Sequence, residues 1–307
     1  MRIAGVRAPA VASLNPDRPV PLRAVLREAV TQFKRAGLVF GHGSHNARDE
    51  AAYLILHTLK LPLGDLDPVL DRRLSPSDLD AVRAVLRRRV QERTPAAYLT
   101  REAWLGEFKF YVDERAIVPR SFIAELLRRG LAPWVADVRR VHSVLDLCTG
   151  SGCLAVLAAH AFSNARIDAG DLSAEALQVA RRNVTDYGLG KRIRLIQTDL
   201  FERLGARRYD LILSNPPYVN AAAMRALPRE YRHEPRLALA GGRDGLAPVR
   251  RVLAQAAAHL NPEGLLIVEI GHNRAALEKA CPRLPFMWLE TSAGEDYVFM
   301  LHKEDLL

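Results

Sequence analysis

"VLDLCTGSGCLAV", residues 144–156, decides the fold. Val144 to Leu147 read as a short strand, the residues around Gly150 and Gly152 as a turn, and Cys153 onward as an apolar helix. Strand, glycine turn and helix in that order open a βαβ unit, and in such sheets a ligand sits at the carboxyl edge of the strands. Gly150 and Gly152 permit positive φ and close backbone approach. The dinucleotide fingerprint GxGxxG wants a third glycine three positions past the second. That position is Ala155, which argues against a nicotinamide ligand. Asp146 lies inside the strand end, where a carboxylate needs a task. It is expected either to accept a hydrogen bond from the glycine-loop backbone or to face a cationic ligand.

The next strand, "ARIDAGDLS" (165–173), ends in Asp171, 21 residues past Gly150. A carboxylate there accepts from the two hydroxyls of a ribose. Ser173 can cap the following helix, which frees Asp171 for that work. A third acid, Asp199 in "IQTDLF", ends the third strand with Leu200 beside it, and an adenine amino group could donate to it. Three strand-end carboxylates suit a nucleoside with a positive centre better than a pyrophosphate. S-adenosylmethionine, with its ribose, adenine and sulfonium, meets that description.

The fourth strand runs into "LSNPPYV" (213–219). Pro216 keeps the Asn215 backbone out of the helical region, and Pro216 and Pro217 each fix φ. The stiff turn lets the side-chain oxygen of Asn215 and the carbonyl of Pro216 aim at one point, where they would grip both hydrogens of an NH₂ group. Tyr218 can cover the planar group that carries it. An amide or arylamine nitrogen is a poor nucleophile, so fixing it in line with a methyl group is the contribution such a site makes. Acceptors on its hydrogens stabilise the charge that develops during attack, and no strong base is required.

Upstream, residues 22–36 have helical apolar spacing ended by Gly37. Asn46 is a plausible N-cap with Asp49 and Glu50 in the first turn, and Ser75 with Pro76 opens a third amphipathic helix. Residues 1–95 are therefore expected to be a small helical domain. "AWLGEFKFYVDERAIV" (103–118) alternates, with the turn-prone "DE" placed between two runs, so 96–118 reads as a β-hairpin connector. A helix is expected over "PRSFIAELLRRGLAPWV". From 119 to 307 strands and helices alternate, which predicts an α/β, doubly wound, seven-stranded Rossmann-like domain. "MWLETSAGEDYVFML" is expected to add a strand pair at one sheet edge.

The first 25 residues are broken by Pro9, Pro16, Pro19 and Pro21 and hold no apolar core of the secretory kind. No apolar run is long enough to span a bilayer. Cys148, Cys153 and Cys281 lack metal-ligand spacing and fit a reducing cytoplasm. The charge is +9, carried by 38 Arg against 6 Lys. A nearby polyanion would explain it, but the doublets are scattered and a general arginine bias explains it as well. "RRR" at 87–89 is the densest cluster.

"DLCTGSGCLA", "DLS" and "NPPYV", in this order, resemble the protein-(glutamine-N5) methyltransferases, class I enzymes that use S-adenosylmethionine and release S-adenosylhomocysteine. "GHGSHN" (41–46), "AYLT" (97–100), "FYVDERAIVPRS" (110–121), "EYRHEPRLALAGGRDGL" (230–246) and "PFMWLE" (285–290) are similar to the branch that modifies the third large-subunit ribosomal protein. The sister branch acting on peptide-chain release factors carries "PRPDTE" where this chain has "PRSFIAE", and Phe122 stands where the ribosomal branch tends to have proline. The resemblance implies that Gly150, Ser151, Gly152 and Asp171 bind the cofactor; on the reading of the residues, Asp146, Thr149, Leu172, Asp199, Leu200 and Asn215 are expected to complete that set. It implies that Asn215, Pro216, Pro217 and Tyr218 hold the glutamine amide, and that the helical domain recognises a protein substrate, free or in an assembling ribosomal particle with rRNA nearby. No metal and no membrane enter the reading.

The NPPY motif also occurs in adenine-N6 nucleic-acid methyltransferases, and a ribosome-assembly factor with S-adenosylmethionine as a structural ligand is the non-enzymatic alternative. Loss of transfer in Asn215→Ala with cofactor binding kept would separate catalysis from mere binding. Other residues carry simpler expectations. His233 and Glu234 read as charges bridging a lid loop to the sheet rather than as a base. "GGRDG" (241–245) reads as a flexible turn, and His42 and His45 as packing or capping groups. Arg120 reads as either substrate or cofactor wall or one half of an ion pair across the domain junction, and Glu269 as either pocket border or partner of an arginine.

Overall fold

The computed structural model describes residues 20–307, and the proline-broken stretch before Val20 lies outside the described residues. The chain divides into two compact units. One takes the chain up to Leu38 and from His45 to Glu92. The other takes Val39–Ser44 and Arg93–Leu307. The segment "VFGHGS" thus parts from the helices on either side of it.

The smaller unit comprises β1 (Val20–Pro21), α1 (Leu22–Arg35), α2 (Ala47–Thr58), β2 (Arg73–Leu74) and α3 (Pro76–Gln91). Asn46 caps α2 by accepting from Arg48 N and Asp49 N, and Ser75 caps α3 by accepting from Asp78 N. Both caps stand where the sequence puts them. Leu22, Val25, Leu26, Ala29 and Phe33 bury one face of α1, and Leu54 and Ile55 of α2 are buried too. The short pair β1–β2 is antiparallel.

Glu50 stands in the first turn of α2 as expected, and it is buried: it is 1% exposed and accepts from Arg89 Nε at 2.7 Å. The "RRR" cluster therefore offers only Arg87 and Arg88 to solvent. Burial of a charge demands a partner, and that partner lies 39 positions away, beyond any local pattern.

The larger unit opens with α4 (Ala96–Thr100), then β3 (Glu102–Leu105) and β4 (Phe108–Tyr111), an antiparallel hairpin. Its turn is Gly106-Glu107, where Gly106 takes φ +61°, and not the "DE" at 113–114. The left-handed glycine closes the two-residue loop. Helix α5 (Ile123–Arg128) is shorter than the sequence predicts, ending before Gly130 and Leu131, both at positive φ.

The main sheet holds seven strands: β5 (Ser143–Leu147), β6 (Arg166–Asp171), β7 (Ile193–Gln197), β8 (Tyr209–Ser214), β9 (Leu260–Glu269), β10 (Met287–Thr291) and β11 (Gly294–His302). Their order is β10-β11-β9-β8-β5-β6-β7. The first five in sequence are mutually parallel, and β11 and β10 add antiparallel at one edge, as expected. Between them run α6 (Cys153–Ala161), α7 (Ala174–Asp186), α8 (Ala221–Ala226), α9 (Arg236–Leu239), α10 (Ala247–His259) and α11 (Arg274–Ala280).

Central strands are buried on both faces. Val144, Leu211, Leu213 and Ile267 join α6 in one core, and Leu145, Ile212, Leu266 and Val268 join α10 in the other. Strand order reverses between β5 and β8, whose ends are in register at Leu147 and Ser214. That reversal opens a crevice at the carboxyl edge, and both the glycine loop and Asn215 leave the sheet there. No helix among the described residues is long and apolar enough to cross a membrane.

Candidate active site

All of the predicted site residues except Asp146 and Gly152 line one cavity of about 820 Å³. That size falls among ligand pockets, roughly 300–1,000 Å³.

The two exceptions sit beneath it. Asp146 is fully buried in β5 and accepts from Thr149 Oγ1. Burial pushes its carboxyl up to about 7, with the Thr149 hydrogen bond pulling the other way. Gly152 is the N-cap of α6, and a Cβ there would stand 3.1 Å from Ala180 Cβ, so it sets the approach of α6 to α7.

The glycine loop is pinned by Asp171, which accepts from Gly150 N at 2.8 Å through one oxygen and from Ser173 N at 2.9 Å through the other. The loop amide thus goes to Asp171, not to Asp146. Ser173 caps α7 by its own hydroxyl. Each carboxylate oxygen retains a second lone pair for a ligand hydroxyl. A side chain at Gly150 would project into space bounded only by Ile117 at 3.6 Å, so the loop leaves an open cradle. Asp199 lines the cavity as expected but is already engaged by Arg251 at 2.9 Å. Leu172 and Leu200 supply apolar wall, and Leu172 is 48% exposed. A carboxylate for a ribose, apolar flanks and an open cradle fit S-adenosylmethionine. Cys148 and Cys153 also line the cavity. Burial holds both thiols high, Cys153 at about 12, so neither is poised as a nucleophile.

Asn215 begins the turn after β8. Its Nδ2 donates to the Arg120 carbonyl at 3.4 Å, which assigns the opposite side of the amide plane to the oxygen. Arg120 is itself clamped. Its guanidinium donates to both oxygens of Glu234 at 2.5 and 2.7 Å, and Val118 N adds a third bond at 3.0 Å. His42 Nε2 stands 3.5 Å from the same carboxylate, and its ring lies 4.3 Å from that of Tyr231. Burial alone would raise the Glu234 carboxyl, yet the Arg120 guanidinium holds it at about 2. A carboxylate held so low is no base, and Glu234 does bridge, but to Val118 and Arg120 in the segment before α5 rather than to the sheet. Arg120 lines the cavity wall, and its ion pair is with Glu234 of the same unit rather than across a domain junction.

Tyr218 is wedged by glycines. A Cβ at Gly271, where φ is +55°, would meet the Tyr218 ring at 2.6 Å, and one at Gly241 would meet its Cα at 2.7 Å. "GGRDG" is therefore a close-packed seat for Tyr218 rather than a flexible turn. Asn273 Nδ2 donates to the Tyr218 carbonyl at 2.9 Å. Burial first, and Glu269 next, keep the phenol neutral. Glu269 neither borders the cavity nor pairs with an arginine. It accepts from Ser121 Oγ at 2.6 Å and Phe122 N at 2.9 Å, and burial lifts it to about 7. Sequence reading missed Glu234 as the anchor of Arg120, and missed the glycines around Tyr218. An acid directly before a proline, and the glycines Gly241, Gly245 and Gly271, were the available signals.

Comparison with known proteins follows the same division. A model described as "Methyltransferase small domain" matches residues 131–229, and one described as "PrmC N-terminal domain" matches 24–100. A ribosomal protein uL3 glutamine methyltransferase from Neisseria meningitidis serogroup B is 60% identical over 93% of this chain and 94% of its own. The protein of that name from Burkholderia pseudomallei is 57% identical over 94% and 97%. Among solved structures, the catalytic domain of hMettl16 in complex with an RNA hairpin aligns with a TM-score of 0.50 at 14% identity, covering 92% of this chain and 90% of that one, a likeness of fold alone.

Proposed function

We propose that this chain, which belongs to the family of ribosomal protein uL3 glutamine methyltransferases, methylates the side-chain amide nitrogen of a glutamine in ribosomal protein uL3. S-adenosylmethionine, held by the glycine loop, Asp171, Leu172, Asp199 and Leu200, supplies an electrophilic methyl group on a sulfonium. The observation that carries the reading is the fixed amide of Asn215, beside Pro216 and Tyr218, in the cavity that the glycine loop also lines.

The chain's residues divide the work. Asn215 Oδ1 and the Pro216 carbonyl accept the two hydrogens of the glutamine NH₂ and hold its nitrogen in place. Their dipoles favour the positive charge that grows on that nitrogen. Tyr218 covers the carboxamide plane. Glu234 fixes Arg120, and the Arg120 carbonyl fixes Asn215. No group need take the proton before transfer, because the nitrogen becomes acidic once alkylated. The helical unit, within the span 24–100, is assigned to recognition of the protein substrate.

Labelled S-adenosylmethionine with purified uL3, a release factor or RNA tests the assignment. Label is expected on a glutamine of uL3. Label confined to nucleic acid or to the release factor would overturn it. Asn215→Ala is expected to bind cofactor normally and to lose about 10²-fold or more in kcat, as when one preorganised partner of a developing charge is removed.

A further inference from the structure

Residues 219–243 form an excursion closed at its neck. Val219 N donates to the Leu239 carbonyl at 2.8 Å, Gly241 N to the Val219 carbonyl at 2.8 Å, and Ala221 N to the Arg243 carbonyl at 3.4 Å. The excursion holds two acids, Glu230 and Glu234, and five arginines: Arg225, Arg229, Arg232, Arg236 and Arg243. The fold sorts them by sign. Both acids are buried: Glu230 accepts from Val39 N at 3.2 Å and from Arg93 at 3.3 Å, and Glu234 holds Arg120. All five arginines are exposed, and none is ion-paired with a carboxylate among the described residues. Arg236 reaches the cavity lining itself. Elsewhere the cavity lining mixes signs, with Glu114, Asp171, Glu175 and Asp199 beside Arg115 and Arg251.

A merely solvated face mixes signs, whereas this one exposes arginine and spends its acids inside. We propose that the outer face of the excursion binds the phosphate backbone of RNA that accompanies the protein substrate, an inference that rests on the uL3 reading above. Guanidinium forks match phosphate oxygens bidentately. Proteins that live on RNA neutralise phosphates with their own Lys and Arg. Exposed arginines without carboxylate partners therefore repel such a protein's basic segments and suit the RNA bound to it. The surface would favour a glutamine presented with RNA over the same glutamine on an isolated chain.

The test uses the full chain and fluorescein-labelled RNA, a 20-nucleotide strand and a 20-base-pair duplex of arbitrary sequence. Anisotropy is read between about 50 and 300 mM KCl, a range in which phosphate contacts weaken steeply. Arg225, Arg229, Arg232 and Arg243 are replaced together by alanine, with Arg236 left in place. Affinity is expected to fall at least about tenfold, and the slope of log affinity on log salt to shrink by about 2–4. The same four positions as lysine should recover most of the affinity. A charge-matched control replaces Arg27, Arg83, Arg87 and Arg208, which are exposed elsewhere, and should stay near wild type.

Unchanged RNA binding in the alanine variant would overturn the proposal. So would an equal loss in the control, which would mean net charge alone, or more effective displacement of the RNA by an Asp/Glu-rich peptide, which would make the partner an acidic protein segment. Wild-type methyl transfer to RNA-free uL3 is measured in parallel. If that and transfer to RNA-bound uL3 both fail while the arginine dependence holds, the substrate reading falls and the surface stands. If transfer proceeds and the arginines do not matter, the surface falls alone.

Discussion

Each unit of the molecule contains a buried arginine–glutamate pair, and the two pairs do different things. Glu50 and Arg89 tie α2 to α3, with both side chains about 1% exposed. Glu234 and Arg120 lie in the catalytic unit, with the glutamate side chain fully buried and the arginine 28% exposed. The first pair ends in helix packing. The second continues through the Arg120 carbonyl to Asn215. The same ionic chemistry ends in helix packing in one place and, under the proposed function, positions the residue that holds the glutamine amide in the other, and the difference lies in what the arginine backbone touches.

Breaking either pair should cost stability, and only one break should cost chemistry. Glu50→Ala leaves a buried guanidinium without its carboxylate, and about 3–5 kcal/mol of unfolding free energy should be lost. Urea unfolding reads that loss, while kcat of the folded fraction stays within about twofold if the pair is purely structural. Glu234→Ala is expected to lose a similar amount and to lower kcat about tenfold or more with cofactor affinity kept. Equal kcat losses in the two variants would erase the distinction.

A smaller effect separates seating from charge. Gly271→Ala puts a methyl where the Tyr218 ring lies and forces a side chain into positive φ, at a cost of about 1–3 kcal/mol. It should raise KM for the protein substrate more than KM for the cofactor. A variant with wild-type kinetics for both would mean that Tyr218 is not positioned by this contact.

The smallest expected effect is on pH dependence. Glu234 is held at about 2 against an ordinary 4.5. Its stabilising share is therefore present above pH 4.5 and lost as pH falls toward 2. Glu234→Gln should flatten the acid limb of a plot of melting temperature against pH. Asp146 and Glu269 run the other way, raised by burial to about 7 from 3.8 and 4.5. Their share is full below those ordinary values and lost as pH rises through 7. Asp146→Asn should remove part of the decline between about pH 4 and 7, and an unaltered profile would contradict its burial.

What the sequence reveals follows the range of the interaction. The glycine loop, the strand-end acids, the Asn46 and Ser75 caps and the proline-braced corner at 215–217 are local patterns, and each stands where its spacing puts it. The hairpin is legible too, although its turn belongs to Gly106 because a positive-φ residue closes a two-residue loop better than "DE". Neither ion pair is legible, since the partners stand 39 and 114 positions apart. The task of Asp146 and the seat of Tyr218 are likewise set by packing between elements. Exposed arginines on the 219–243 excursion alternate with acids in the sequence, and only the structure shows that Glu230 and Glu234 are buried while the arginines stay exposed.

The central claim concerns Asn215, and the most direct measurement is a crystal structure of the protein with S-adenosylhomocysteine and a glutamine-bearing uL3 peptide. The account predicts the glutamine nitrogen at about 2.9 Å, ordinary hydrogen-bond distance, from both Asn215 Oδ1 and the Pro216 carbonyl, with the Tyr218 ring over the carboxamide. A glutamine tip bound elsewhere, or an Asn215 oxygen turned away from the cavity, would contradict it.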